Sequence, residues 1–582
     1  MRPPLLSFRG TSTWSRVPSA VAEFFRDLPI LLAGLSLFYV LLALTHYWLA
    51  PPSPQTHIRL DPAALPQYAV FSLLRISIAY AISLVFTFIY GYVAAYNARA
   101  ERFLIPLLDT LQSIPVLSFL PGVMLAMISL FPRRQLGIEL GSILLIFTGQ
   151  VWNMTFSFYS SLKNIPEDMR EVARLYRWSW WQRFTQLELP FSAIGLIWNS
   201  MMSVAGGWFF LMACEMFVLG NRDLRLPGLG SYLQTAANAG DTRAILWGVV
   251  TMIGVIVLLD QFVWRPVIAW AEKFKFEQVE ATEAPHSRVL NFLRRSKLLN
   301  WIARVSLLPV FESVALYFAR RHESEPPRGE ARRTPSWAGQ VLLLLLMGGL
   351  GLAVLKMISV LAGLRTPEAR SIFLGAGATF FRVEFTLLLA ALWTVPVGVA
   401  IGLRPRLSAL AQPIAQVAAS VPATALFPIV LLLLIRVGHG LGIGSMVLLL
   451  LGTQWYILFN VIAGASALPT DLKEVCEVFH YSKLERWRKL ILPGIFPYLV
   501  TGFVTASGGA WNASIVAEYF HFRGETFSTT GLGAVISAAT DAGNSPVLLA
   551  ATILMASIVV TINRFLWRRL YSLASTKYKL ES

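Results

Sequence analysis

Two charged stretches of equal length decide the fold of this chain: "EVARLYRWSWWQRFTQLELP" at 171–190 and "EVCEVFHYSKLERWRKLILP" at 474–493. Both begin with Glu-Val, carry Ser at the ninth position and end in Leu-Pro, and both interrupt long apolar runs. One such stretch is typical of an ordinary basic loop. Two matching copies indicate a repeated element, and the alternation of apolar and charged residues in the first copy predicts short amphipathic helices.

The composition of the 582-residue chain is that of a membrane protein. Hydrophobic residues make up 55% of the chain and charged residues 14%, with a mean hydropathy of +0.60. Soluble proteins carry charge on about a quarter of their residues, so that class is excluded. Apolar runs near the roughly 20 residues that cross a bilayer start, for example, at Leu28, Ala244 and Val341. The sequence therefore predicts an all-α polytopic membrane protein.

The chain also repeats itself. Matching residues recur at an offset of 307 in the first part of each unit and 303 afterwards. The pairs include Arg75 with Arg382, Trp152 with Trp455, Glu171 with Glu474, Trp208 with Trp511, Glu215 with Glu518 and Gly228 with Gly531. An even number of spans gives both units the same orientation. We therefore expect two tandem parallel repeats of about six transmembrane helices, about 12 spans in total.

The predicted units occupy 1–270 and 337–582, with inserts at 161–189 and 464–492, named here insert 1 and insert 2. The predicted spans are 29–50, 67–95, 103–131, 138–160, 190–219 and 244–270 in the first unit, and 337–363, 373–403, 407–435, 441–463, 494–520 and 545–567 in the second. The net charge of +17 is concentrated in the termini, the inserts and the linker 271–336. That placement follows the positive-inside pattern, so we expect both termini in the cytoplasm and no nucleic-acid partner.

Basic and apolar residues alternate at helical spacing in the linker from Arg288 onward. This pattern predicts an amphipathic helix, which either lies on the anionic inner leaflet or packs against neighbouring helices. Metal sites are not expected, since the seven histidines are scattered without ligand spacing. The two cysteines, Cys214 and Cys476, are predicted on opposite sides of the membrane, which argues against a disulfide.

The two inserts resemble the coupling-loop motif of the permease subunits of bacterial ABC importers. That motif has Glu-Ala-Ala, three further residues, Gly, and a hydrophobic-Pro pair about a dozen residues later. The corresponding residues are Glu171, Val172, Ala173, Arg177, Ser179 and Pro190 in insert 1 and Glu474, Val475, Cys476, His480, Ser482 and Pro493 in insert 2. Arg177 and His480 stand where the motif has Gly, and non-glycine residues take a left-handed turn reluctantly.

The resemblance extends over nearly the whole of both units. Within the family, the chain is most similar in its motifs to the nitrate, sulfonate, taurine and related anion permeases. This similarity rests on "SLLR" at 72–75 and "TFFR" at 379–382, on Ser-x-Pro at 113 and 420, on the fifth-span Trp and Glu, and on "GLG" at 228 and 531. Ordinary members of that branch carry one unit and pair as homodimers, whereas this chain resembles a duplicated form. The resemblance implies the type I ABC importer permease fold in a bacterial inner membrane.

The expected partners follow from that resemblance. No G-x-x-x-x-G-K-[ST] phosphate loop occurs in the sequence, so the chain is not expected to be an enzyme with its own ATPase site. The resemblance implies two cytoplasmic ABC ATPase subunits that use ATP and Mg and bind the inserts. It also implies a periplasmic substrate-binding protein docking on 220–243 and 521–544. Membrane lipids are the remaining expected partners. The chain itself is expected to bind no cofactor.

Charged and aromatic residues within the spans are candidates for the translocation path, because a charge in an apolar helix marks a pathway or a partner. The path candidates are Trp208, Glu215, Trp511, Glu518, Arg75 and Arg382, and the anion-entrance candidates are Arg133 and Arg436. Other interpretations stay open. Each Glu would pair with a loop arginine such as Arg222 or Arg523, or cap local backbone, and the second-span arginines would snorkel to the interface.

The expected function is passage of a small solute, in particular an anion such as nitrate, a sulfonate, taurine or bicarbonate. A twelve-span secondary transporter driven by an ion gradient is the alternative. Such a transporter would place a short basic loop between spans two and three, whereas the charged repeated loops here lie between spans four and five. A scaffold or a channel would need no matched inserts.

Overall fold

A computed structural model describes residues 28–32, 35–36, 48–50, 57–132, 134–219, 222–274, 287–324, 337–436, 441–522 and 525–577. Within these residues nine helices are long and apolar enough to cross a membrane, and one further pair of helices is sharply bent. Eight of the nine coincide with predicted spans, and the ninth, Lys297–Phe318, lies in the linker. The all-α polytopic fold is therefore confirmed. The predicted first span, 29–50, falls mostly outside the described residues.

From Leu65 onward, the described residues of the first unit form ten helices and one short hairpin. They are α1 Leu65–Tyr96, α2 Ala98–Ser113, α3 Leu120–Leu130, α4 Leu136–Lys163, α5 Glu167–Leu175, α6 Trp180–Arg183, α7 Leu189–Glu215, β1 Val218–Leu219, β2 Arg222–Asp223, α8 Leu229–Ala239, α9 Thr242–Leu259 and α10 Arg265–Ala271. Single 3-10 turns at Pro62–Ala64, Val116–Phe119 and Glu272–Phe274 and π turns at Phe184–Glu188 and Asp260–Trp264 join some of these helices.

The linker and the second unit follow in the same style. The linker forms α11 Arg288–Arg295, α12 Lys297–Ile302, a π turn Ala303–Leu307 and α13 Leu308–Ser324. The second unit forms α14 Trp337–Leu361, α15 Thr366–Gly402, α16 Pro405–Ser420, α17 Ala423–Arg436, α18 Leu441–Ser466, α19 Thr470–Val478, α20 Lys483–Arg486, a π turn Trp487–Ile491, α21 Leu492–Ala517, β3 Tyr519–Phe522, β4 Glu525–Ser528, α22 Leu532–Ala542, α23 Ser545–Ile562, a π turn Asn563–Trp567 and α24 Arg568–Lys577. The π turns therefore recur at matching positions in both units.

The third span of the first unit differs from the continuous helix predicted over 103–131. Helices Ala98–Gln112 and Val116–Leu130 meet at 85°. Pro115 explains the break, because proline lacks the N–H that would continue α2 and disfavours helical geometry at the residue before it. Ile114 is accordingly extended, with φ −77° and ψ 126°. The second unit also divides its third span, into α16 and α17, on either side of Val421 and Pro422.

The packing within each unit follows one plan. In the first unit α4 lies between α1 and α7, and in the second α18 lies between α15 and α21. Fourth spans thus form the centre of each unit, flanked by the second and fifth. One hydrophobic core includes buried residues from both units, among them Trp208 and Trp511. The two units are therefore packed as one body.

The broken third spans also carry contacts between the units. The N–H of Leu117 donates to Oδ1 of Asn512 at 3.4 Å, and the hydroxyl of Thr552 donates to the carbonyl of Ser118 at 3.0 Å. Reciprocally, α16 and α17 contact α7 and α9. Each fifth span is therefore in contact with the opposite unit, and Gly206 on α7 lies opposite the hydroxyl of Tyr456 on α18.

Candidate functional site: two matched inserts and two buried ion clusters

Insert 1 folds as two short helices joined by a tight turn. At the end of α5 the N–H of Trp178 donates to the carbonyl of Ala173 at 3.0 Å, and the N–H of Arg177 donates to the carbonyl of Arg174 at 3.0 Å. This pair of bonds is the Schellman motif, which closes a helix with a left-handed residue. Ser179 then begins α6 in a capping box with Gln182, in which each side chain accepts from the other's backbone N–H.

Insert 2 repeats this bonding pattern with different residues. The N–H of Tyr481 donates to the carbonyl of Cys476 and the N–H of His480 to the carbonyl of Glu477, each at 3.0 Å. Ser482 and Glu485 form the capping box that begins α20. The two inserts therefore share one helix-turn-helix geometry, although few of their residues are identical.

The left-handed residue of each turn is not glycine. Arg177 has φ 48° and His480 has φ 49°, and they are the only non-glycine residues with positive φ in the described part of the chain. These are the two positions at which the sequence departs from the resembled motif. An L-residue in this conformation costs roughly 1–2 kcal/mol, so the turn is kept in spite of local strain. Surrounding hydrogen bonds hold the geometry that glycine would adopt freely.

Each insert presents an apolar surface to solvent at matching positions. In insert 1 the surface consists of Val172, Leu175 and Tyr176, and in insert 2 of Val475, Val478 and Phe479. Leu175 is 80% exposed and Val478 is 73% exposed. Apolar side chains held out on rigid helices, with Glu171 and Glu474 exposed beside them, are typical of a surface that another protein covers.

The predicted coupling residues divide into two groups. Glu171, Val172, Arg177, Glu474, Val475, His480 and Ser482 are exposed, whereas Ala173, Ser179 and Cys476 are buried. Ala173 belongs to a hydrophobic cluster with Phe158 and Leu187, so it fastens α5 to the membrane helices. The small third residue of the motif thus anchors each insert, and the first two residues face outward.

The inserts continue directly into the fifth spans. Trp180–Glu215 and Lys483–Ala517 each form one uninterrupted helical segment that includes the second helix of an insert. Pro190 and Pro493 are the second residues of α7 and α21, directly after the π turns inside these segments, so the missing backbone N–H falls where the hydrogen-bond pattern changes from π to α. Each insert is therefore continuous with a helix that contacts the opposite unit.

The other end of α7 holds a buried ion cluster. Arg75 on α1 donates from Nε and one terminal nitrogen to both oxygens of Glu139 at 2.7 Å, and from its other terminal nitrogen to Oε1 of Glu215 at 2.7 Å. Ser72 donates to the same Oε1 at 2.7 Å. Oε2 of Glu215 accepts the N–H of Gly230 at 2.8 Å, so the carboxylate also caps the first turn of α8.

The second unit contains the corresponding cluster. Arg382 donates to Glu518, which also accepts from the hydroxyl of Thr379 at 2.8 Å and from the N–H of Gly533 at 2.8 Å. Gly442 occupies the position that matches Glu139, so this cluster has one carboxylate fewer. The first glycine of each "GLG" is required, because a Cβ at Gly228 or Gly531 would collide with the carboxylate of its cluster.

These clusters give the contacts of the charged path candidates. Glu215 and Glu518 cap local backbone, as expected under one alternative, and they form ion pairs with Arg75 and Arg382. The side chains of the loop arginines Arg222 and Arg523 lie outside the described part of the structure. Snorkelling is wrong for Arg75, which is 2% exposed and surrounded by two carboxylates. Trp208 is 1% exposed.

The remaining candidates stay predictions. Trp511 is buried like Trp208, and a role in the translocation path is untested for both tryptophans. Arg436 ends α17, and Arg133 lies outside the described residues. Sequence reasoning missed Glu139, which has no partner in the repeat, and the hydroxyls Ser72 and Thr379. The signal for the hydroxyls was present, since they open the "SLLR" and "TFFR" segments.

A family model described as "Binding-protein-dependent transport system inner membrane component" matches residues 87–263 and again residues 394–570. The chain belongs to this family. Each match falls within one predicted repeat and includes one insert, both ends of its fifth span and the "GLG" segment. The inner membrane component is therefore present twice in one polypeptide, as the repeat indicated.

Curated relatives of this inner membrane component are permeases for different anions. The chain is 29% identical over 182 residues to the nitrate import permease protein of Leptolyngbya laminosa, a match covering 31% of this chain and 62% of the relative. It is 30% identical over 141 residues to a bicarbonate transport system permease protein of Synechococcus elongatus, covering 24% and 49%. It is 26% identical over 221 residues to the taurine transport system permease protein of Escherichia coli, covering 37% and 76%. The chain thus spans about half to three quarters of these relatives.

Proposed function

We propose that this chain is the membrane-spanning permease subunit of an ATP-driven importer in a bacterial inner membrane, and that each insert docks on a separate cytoplasmic ATPase subunit. The observation that carries the proposal is the pair of matched helix-turn-helix inserts with outward apolar surfaces. A transporter driven by an ion gradient has no use for two such surfaces.

The proposed mechanism is alternating access driven through the fifth spans. Closure of the ATPase pair on ATP and Mg would draw insert 1 and insert 2 together, and the continuous helices would carry that movement into the contact between the units. The ion clusters tie the far ends of α7 and α21 to α8 and α22, so the outer loops would move with them. A periplasmic binding protein would deliver substrate there.

The proposed substrate is a small anion, by analogy with the nitrate, bicarbonate and taurine permeases. Arg75 and Arg382 are engaged by carboxylates, so they are poor anchors for an anion in this conformation. Selectivity among anions is therefore assigned to the binding protein, with Arg133 and Arg436 kept as entrance candidates.

The test is purification of the tagged chain from native membranes, followed by identification of the proteins that accompany it. We expect an ATPase with a phosphate loop at two copies per chain, together with a secreted binding protein whose ligand names the substrate. Leu175→Asp with Val478→Asp should abolish ATPase recovery and uptake, because charge is placed in both apolar surfaces.

The matched control is Tyr571→Asp, which changes an exposed aromatic residue on α24, outside both inserts. It should leave ATPase recovery unchanged. Purification of the chain alone, with solute uptake that follows an ion gradient, would instead establish the secondary transporter.

A further inference from the structure

The linker helix α13 contacts insert 1 through aromatic side chains. The ring of Trp181 lies 5.5 Å from that of Phe311, and it is nearly parallel to the ring of Phe318 at 6.1 Å. Trp180 lies 5.1 Å from Phe318. Aromatic pairs at these separations contribute beyond their buried area. Insert 1 is thus in aromatic contact with the linker, the segment that connects the two units in the sequence.

Insert 2 lacks the residues for such a contact. Lys483 and Leu484 occupy the positions that match Trp180 and Trp181, and Leu484 is 68% exposed. The difference continues where the insert meets the membrane, because Glu188 of the first unit is matched by Ile491. The two inserts therefore share a backbone geometry but differ in what holds them in place.

Glu188 is part of a polar network that the second unit does not reproduce. It accepts a hydrogen bond from the hydroxyl of Tyr96 at 2.6 Å and from Nε of Arg183 at 2.7 Å. Arg183 also donates to the hydroxyl of Tyr92 at 2.6 Å. This network ties insert 1 to the second span from one side, while α13 holds it from the other.

The opposite face of the linker helices is apolar and exposed. The exposed residues are Trp301, Ile302, Val305, Val310, Leu316 and Tyr317. They extend over several turns, and none of the apolar window within Lys297–Phe318 is buried in the described structure. Basic residues precede and interrupt this stretch, at Arg294, Arg295 and Arg304, and it contains one acidic residue, Glu312. An apolar face combined with basic residues fits the boundary of an anionic lipid leaflet.

The position of the linker in the fold is consistent with contact between its exposed face and an anionic lipid leaflet. The linker follows the sixth span directly, and α11 packs on α10 at the end of that span. Helix α13 packs on α6, the second helix of insert 1, so the linker lies beside that insert. The two family matches moreover have one orientation if the linker returns to the side from which it started.

We propose that the linker is a lipid-bound brace: its outer face, from Trp301 to Tyr317, inserts into the anionic leaflet, and the Trp180–Trp181–Phe311–Phe318 contact transfers this anchorage to insert 1. The motion of insert 1 is then restricted by the lipid-bound linker. Insert 2 has no such contact among the described residues and is the more mobile of the two. The cytoplasmic placement rests on the proposed function, but the brace itself requires no ATPase, so it is testable on the chain alone.

The lipid contact is tested with spin labels on the full chain in nanodiscs. Cys214→Ala and Cys476→Ala supply a cysteine-free background, and both install the residue found at the matching position of the other unit. Labels at Val310→Cys and Leu316→Cys should be reached by oxygen and shielded from a water-soluble nickel chelate, more so with phosphatidylglycerol than with phosphatidylcholine alone. A control label at Leu484→Cys should be open to the chelate. Equal access of the chelate to all three labels would overturn the proposal.

The transfer to insert 1 is tested with labels at Leu175→Cys and Val478→Cys, which occupy matching exposed positions. The label at 175 should move more slowly than the label at 478. Phe311→Ala with Phe318→Ala should remove this difference by releasing the label at 175, with no change at 478. Equal motion in the unaltered chain, or a difference that survives loss of both phenylalanines, would exclude the brace. Neither result would bear on the importer assignment.

Discussion

At the scale of single residues, the turns of the two inserts adopt a left-handed backbone conformation without the glycine that favours it. Arg177 and His480 adopt the left-handed conformation at the position where the resembled motif has glycine. The hydrogen bonds of the Schellman motif and the capping box enforce that conformation from both sides. Strain of this kind is tolerated where the surrounding structure over-determines the backbone.

Restoring glycine at these turns should stabilise the protein. Glycine relieves a cost of roughly 1–2 kcal/mol in the folded state, against about 0.5–1 kcal/mol for its greater freedom when unfolded. Arg177→Gly and His480→Gly should therefore each raise the apparent unfolding temperature in detergent slightly. Arg174→Gly, within α5, is the control and should lower it, since glycine is a poor residue in a helix. A drop for all three variants would show that the turns are not strained.

At the scale of elements, the clusters join a membrane carboxylate to the start of a helix. Glu215 and Glu518 each neutralise an arginine and accept a backbone N–H from the first turn of α8 or α22. These links hold the ends of the fifth spans that lie away from the inserts against the second spans. Their two copies differ in the number of carboxylates, which permits a comparison within one molecule.

We expect Glu518→Gln to be far more damaging than Glu139→Gln. Among the described contacts, Arg382 would keep neutral acceptors (the amide oxygen of the introduced glutamine, Thr529 and Thr530) but no carboxylate, and loss of one partner of a buried ion pair costs about 3–5 kcal/mol. Arg75 would still face Glu215 in the other variant. Thermal unfolding followed by size-exclusion chromatography measures both effects. Equal losses for the two variants would contradict the pairing described here.

Elements were also where prediction from sequence succeeded and failed. Apolar length located eight spans. The repeated Leu-Pro was expected where the chain turns into the fifth span, whereas the helix continues there from each insert and the proline follows its π turn. The break at Pro115 was missed, since hydropathy over 103–131 is continuous and does not register a bend. Glu139 was missed for another reason. Comparison of the two units identifies only residues that both share, and the position that matches Glu139 in the second unit is Gly442.

At the scale of the whole molecule, the two units behave as one packed body. Their shared core and the contacts of Leu117 and Ser118 with the second unit do not depend on the linker. Co-expressed fragments 1–324 and 325–582, which leave the linker helices with the first unit that they contact, should therefore assemble in the membrane and co-purify. Recovery of a tag on one fragment together with the other, by affinity purification in mild detergent, measures this. Isolation of either fragment alone would mean that the covalent connection is what keeps the units together.

The unmatched Glu139 has a consequence for the history of such a chain. In a pair of identical subunits, every substitution occurs in both copies. A change that helps one copy and harms the other is therefore lost. Fusion of the two copies removes that constraint, because each position is then encoded separately. The first ion cluster contains the carboxylate of Glu139 and the second has Gly442 at the matching position, a difference that two identical subunits could not have.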